Sequence, residues 1–141
     1  IGPIGDITAK ALEEAQQKIN MLFDYSTRIA AQKMKLNLQG LCISAEKILD
    51  SYRKNPEGVN VFINYYLESA LRIVAKYVEF NSNLPHTPEI AGVMQKSETA
   101  IETLKCSMEQ HSNQAVEDEI IELNAEIETL EKTLKSEDHR L

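Results

Sequence analysis

Val59–Phe80 reads VNVFINYYLESALRIVAKYVEF, the most apolar stretch of a 141-residue chain, and its pattern decides the fold. Apolar residues fall at Val59, Ile63, Tyr66, Ala70, Ile73, Tyr77 and Phe80, alternating steps of four and three that keep one stripe of an α-helix turned to one side. A second stripe, Phe62, Leu67, Leu71, Val74 and Val78, runs beside it and makes the apolar face too wide for a two-stranded seam. A helix of this kind touches neighbours on more than one side, as the central helix of a bundle does.

The same periodicity recurs on both sides of that stretch. Leu12, Ala15, Ile19, Leu22, Ser26 and Ile29 predict a helix over about 7–30, with Asp6 as its N-cap. Met34, Leu38, Leu41, Ala45, Ile48 and Tyr52 predict a second over 34–54, one residue out of phase with the first. Neither Gly nor Pro marks the slip at Ala31–Lys33, so a tight turn and a long helix with shifted phase both satisfy the pattern. Length favours the turn, because an unbroken helix over 7–54 would run roughly 70 Å at 1.5 Å per residue, about twice its neighbours.

Lys54-Asn55-Pro56-Glu57-Gly58 ends the second helix, since Asn before Pro leaves the helical region, and places the third at 57–81. Thr87 as N-cap, Pro88 at the first helical position and Glu89 in the first turn start a fourth helix over 88–112. Its stripe runs from Ile90 through Met94, Ile101 and Met108 to His111, and there the phase slips again. Val116, Ile120, Leu123, Ile127, Leu130 and Leu134 form a heptad seam with acidic flanks, read as a bend or a separate fifth helix over 118–135. Residues 136–141 are expected to fray. The fold expected is all-α: one domain over 1–141, an antiparallel bundle of four to five helices with a heptad-patterned C-terminal helix.

Composition bounds the chemistry. Hydrophobic residues at 43% and charged residues at 26% suit a folded domain with one core. A net charge of −7 argues against a nucleic-acid partner, which would need a basic face, and against a direct grip on anionic lipid. The chain holds no uninterrupted run of about 18 apolar residues, the length a membrane-crossing helix needs. Ile1-Gly2-Pro3 opens without Met, as a piece of a longer protein would. Cys42 and Cys106, too far apart for a metal or close disulfide spacing, are expected to be reduced and buried as small hydrophobes.

Neither a catalytic nor a metal centre is expected. A di-metal bundle site needs Glu-x-x-His pairs on two helices, and the chain has none. Glu109 and His111 stand two apart on different faces, and His86 and Glu89 sit at a helix start that capping explains. His111 reads as a partly buried histidine at the phase slip. No glycine-rich oxyanion turn or P-loop surrounds any Ser, Cys or His, and the arginines Arg28, Arg53 and Arg72 are dispersed. Tyr65 and Tyr66 point to different sides of the third helix, one to the core and one to a hydrogen bond or a partner. The acidic run Glu117–Glu131 reads first as a solvated face and, more sharply, as a docking strip for a basic partner.

Two blocks resemble a known family. Phe62-Ile63-Asn64-Tyr65-Tyr66-Leu67, followed by Leu71 and Lys76-Tyr77, and Asn124-Ala125-Glu126-Ile127-Glu128-Thr129-Leu130-Glu131-Lys132 are similar to the 5-bromo-4-chloroindolyl phosphate hydrolysis protein (XpaC-like) family. Glu68-Ser69 departs from the Pro-Thr usual there, which implies a straighter helix here. The resemblance implies a bacterial, cytoplasmic helical domain, often tied to the membrane through an upstream segment and often paired with a toxic anion resistance (TelA-like) protein. Three readings follow. The preferred one is a non-catalytic interaction domain whose partner contacts are Tyr65, Tyr66, Glu126 and Glu128, with no cofactor. A phosphate-ester hydrolase is what the family name implies, and a self-associating coiled coil is what the terminal seam alone suggests.

Overall fold

The computed structural model describes the backbone of residues 3–140 and the side chains of 5–137. It is all-α, with four helices: α1 Pro3–Ser26, α2 Gln32–Lys54, α3 over 59–83, and α4 Pro88–Arg140. Short connections make successive helices antiparallel. α1 packs on α2 and α3, and α4 packs on α2 and α3, which closes a four-membered ring.

Each boundary has a local cause. α1 begins three residues before Asp6, so Asp6 is not the N-cap; its carboxylate lies in the first turn, where it complements the helix dipole. α1 and α2 are separated by a true turn over 27–31, and α1 ends four residues earlier than its apolar stripe suggested. Ser26 stops it by turning its hydroxyl back to Phe23 O at 2.6 Å, and Ile29 still plugs the core from the loop, 3% exposed. Asn55 closes α2, and Gly58, at φ 86°, takes the left-handed conformation that costs glycine least. α3 therefore starts at Val59 rather than 57. Thr87 caps α4 as its sequence predicts, accepting from Ile90 N–H at 3.2 Å.

Larger departures follow in α3 and α4. α3 is not a regular helix: Phe62–Leu67 forms a π-helical turn between Val59–Val61 and Glu68–Asn83, with Glu68 N–H donating five residues back to Ile63 O. The stretch expected to be straighter here carries this irregularity. Nor does α4 break near residue 118; it is one helix of 53 residues that runs past the predicted frayed end to Arg140. The seam from Val116 stands one position, about 100° at 3.6 residues per turn, round the helix from the continuation of the His111 stripe. The phase slip rotates the apolar stripe without breaking the helix.

The core is one cluster, with Ile19, Leu22, Leu38, Leu41, Leu67 and Met108 fully buried. Among the described side chains of α4 the last buried one is Ser112, and every residue from Val116 to Glu137 is exposed. Lys54 Nζ reaches Glu119 Oε1 at 2.7 Å and fixes the point where α4 leaves the bundle. The half of α4 beyond is an arm. Leu38→Ala is expected to cost about 2–5 kcal/mol in urea unfolding, by lost burial and the cavity left. Leu130→Ala, made on the arm, should stay within about 0.5 kcal/mol of the parent.

Candidate functional site

The π-helical turn and the facing part of α4 form an aromatic cluster. Inside the turn Phe62, Ile63 and Leu67 are all buried; hydrogen bonding to the fifth residue adds one position to the turn and lets neighbouring side chains share the core. Tyr66 comes out beside them, half-buried. The rings of Tyr52 and Phe62 lie 5.5 Å apart, those of Phe62 and Tyr66 6.4 Å, and Tyr66 meets the His111 ring edge-on at 5.5 Å. Tyr66 Oη and His111 Nε2 share a hydrogen bond of 3.1 Å. His111 is thus an exposed residue clasped by a tyrosine, not the partly buried one expected.

A cavity of about 140 Å³ opens there, lined by Ile48, Tyr52, Val61, Phe62, Tyr66, Met108 and His111. Burial, and then the neighbouring Tyr66, push the Tyr52 phenol above its ordinary pKa, so it stays a neutral donor. The cavity suits an apolar or aromatic group with one polar contact at its mouth. Its lining holds no Lys or Arg to receive a phosphate. The arginines lie elsewhere: Arg28 pairs with Asp24 at 2.7 Å and Arg53 reaches Asp50 at 3.6 Å. Among the described residues no three His, Cys, Asp or Glu side chains converge as metal ligands.

A second clasp joins α3 to α4, with Tyr77 Oη donating to Glu98 Oε1 at 2.9 Å. Burial, reinforced by that carboxylate, pushes the Tyr77 phenol up to about 12. Both clasps are centred near Pro88, as an antiparallel hairpin requires. That symmetry was the signal in the sequence that could have paired Tyr66 with His111.

The four expected partner contacts do not form one site. Tyr66 closes the aromatic cluster, Tyr65 points away at 72% exposure, and Glu126 and Glu128 are exposed on the arm. Glu126 lies fifteen residues beyond His111, about 22 Å by helical rise. The two cysteines also differ. Both are free, but only Cys42 is buried; Cys106 is exposed, against expectation.

Family comparison bears on the whole of this geometry. A family model described as 5-bromo-4-chloroindolyl phosphate hydrolysis protein matches residues 5–130. The chain belongs to this family. Comparison with curated proteins and with solved structures returned no match. The family match takes in the bundle, the aromatic cluster and the arm as far as Leu130. No helix among the described residues is long and apolar enough to cross a membrane.

Burial, and then the nearby Glu46 carboxylate, push the Cys42 thiol up to about 12, so almost none of it is thiolate near neutrality. An aromatic disulfide reagent at pH 8 should therefore titrate one thiol in the native chain, lost in Cys106→Ser, and a second only after denaturation.

Proposed function

We propose that this chain is a non-catalytic interaction domain that holds a protein partner, in the bacterial, membrane-linked setting that its family resemblance implies. The observation that carries the reading is the arm. Val116, Ile120, Leu123, Ile127, Leu130 and Leu134 are each 44–58% exposed along a single helix edge. A monomer gains nothing by leaving a contiguous apolar strip in water, and such strips mark interaction surfaces. The bundle supplies a rigid base for it, and Tyr65 offers a second exposed contact.

The rival reading, a phosphate-ester hydrolase, draws on one observation: an apolar cavity of indole-like dimensions with a histidine and a phenol at its mouth. Phosphoryl transfer is catalysed mainly by positioning and by cations that stabilise the transferring group. Beyond His111 the cavity lining holds no Lys or Arg to play that part, which favours the interaction domain.

Turnover separates the two. Homogeneous chain should hydrolyse 5-bromo-4-chloroindolyl phosphate no faster than buffer, with or without Mg²⁺, Mn²⁺ or Zn²⁺, and His111→Ala should match it. Hydrolysis by the parent that disappears in His111→Ala would overturn the interaction reading.

A further inference from the structure

The arm's apolar seam is flanked by charge of one sign, and that selects its occupant. Residues 116–137 hold eight Asp and Glu against two Lys, a net −6 out of the chain's −7. In heptad terms Ile120, Ile127 and Leu134 take the a positions and Val116, Leu123 and Leu130 the d positions. The e and g positions beside them are Glu117, Glu119, Asn124, Glu126, Glu131 and Thr133: four acids, no base. Lys132 and Lys135 occupy positions turned away from the seam.

A second copy of the arm fits poorly. In a parallel pair each g residue faces the e residue five positions on in its partner, so Glu126 would meet Glu131. An antiparallel pair centred on the seam sets Glu126 against Glu126 and Glu117 against Glu131. Both orientations oppose like charges at the seam's edge, where coiled coils set partner choice. Anionic lipid is disfavoured by the same charge. The bundle cannot cover the seam either: its last ion pair to α4 is Lys54–Glu119, and the seam is rotated off the bundle-facing stripe.

We propose that the arm forms a heteromeric coiled coil with a partner helix whose apolar seam is flanked by Lys or Arg. This rests on the reading of the chain as an interaction domain and adds the partner's chemistry. Contact along the flank, rather than net charge, decides the pairing, and two glutamates distinguish these. Glu126 lies about 80° from the midline of the seam and Glu128 about 120°, at 100° per residue. Reversing either changes net charge by the same amount, but only Glu126 flanks the partner.

The test uses the whole chain and two synthetic three-heptad peptides, both with Ile at a and Leu at d, one with Lys at e and g and the other with Glu. The chain alone should sediment as a monomer at neutral pH. Titration calorimetry should show the Lys peptide binding at least about tenfold more tightly than the Glu peptide, with affinity falling as salt rises. Glu126→Lys should weaken binding roughly fivefold, as reversal of an exposed pair does, and Glu128→Lys less than twofold. Ile127→Asp should abolish binding while circular dichroism shows the helix content and melting of the parent.

A dimer of the chain alone that Ile127→Asp dissociates would overturn the proposal, making a second copy the occupant and leaving an interaction domain of a different kind. Equal affinity for both peptides, or equal losses in Glu126→Lys and Glu128→Lys, would remove flank charge as the selector and overturn it too. A monomer that binds neither peptide would end the seam's claim as a docking surface. Whether the chain is catalytic is decided separately, by turnover of the indolyl phosphate.

Discussion

One mismatch of length governs this molecule. α1 and α2 are 24 and 23 residues long and α4 is 53, so at 1.5 Å per residue α4 exceeds its neighbours by roughly 45 Å. Only its first half can be packed. Helix formation is costly to nucleate and easy to propagate, and helices in proteins draw most of their stability from packing that the arm lacks. The arm escapes the nucleation cost because it continues a helix already fixed by Ile101, Met108 and Ser112 in the bundle. The Lys54–Glu119 pair is its last brace, and an exposed pair adds little stability by itself. The packed half of α4 therefore does the work of holding the arm straight.

The same helix links the two exposed features. His111, clasped by Tyr66, lies one turn before the arm begins, and the π-helical turn that presents Tyr66 lies on α3. A π-helical turn gives up regular hydrogen bonding and is seen mostly where a local need outweighs that loss. Here the need is spatial: Phe62, Ile63 and Leu67 all reach the core while Tyr66 remains beside it to meet α4. The aromatic cluster joins α2, α3 and α4 at the end of the bundle from which the arm departs. It braces the exit of α4 with rings and one hydrogen bond rather than with charge.

Much of the fold was legible because it depends on periodicity and punctuation, both local. The stripe from Val59 to Phe80, the Asn55-Pro56 stop and the Thr87-Pro88 start each carry their meaning within a few residues. What failed depended on facts the local pattern does not contain. The π-helical turn is set by how three core residues share space with α4. The slip after His111 looked like a break because a stripe was assumed to follow one partner, and the described residues offer no partner past Glu119. The same blindness hid the cluster of Tyr52, Phe62, Tyr66 and His111, drawn from three helices. Cys106 is different: it lies off the Ile101–Met108 stripe of α4, so the same periodicity already placed it outward.

Whole-chain charge was the bluntest of these readings, and the structure changes what it means. A net −7 spread over one globule describes a mildly acidic surface. Placed as it is, −6 of it lies on residues 116–137, and the rest of the chain, bundle included, carries −1. The acidic residues and the exposed apolar strip of the arm thus coincide on one stretch of helix. Between exposed charges, attraction and repulsion fade over a Debye length of about 8 Å in physiological salt. The glutamates of the arm are thus too far from most of the bundle to act on it and act on whatever lies along the seam. In the proposed pairing, segregation of this kind turns a bulk property into a local rule of selection, with the apolar residues supplying contact and the flanking acids deciding which helix can approach.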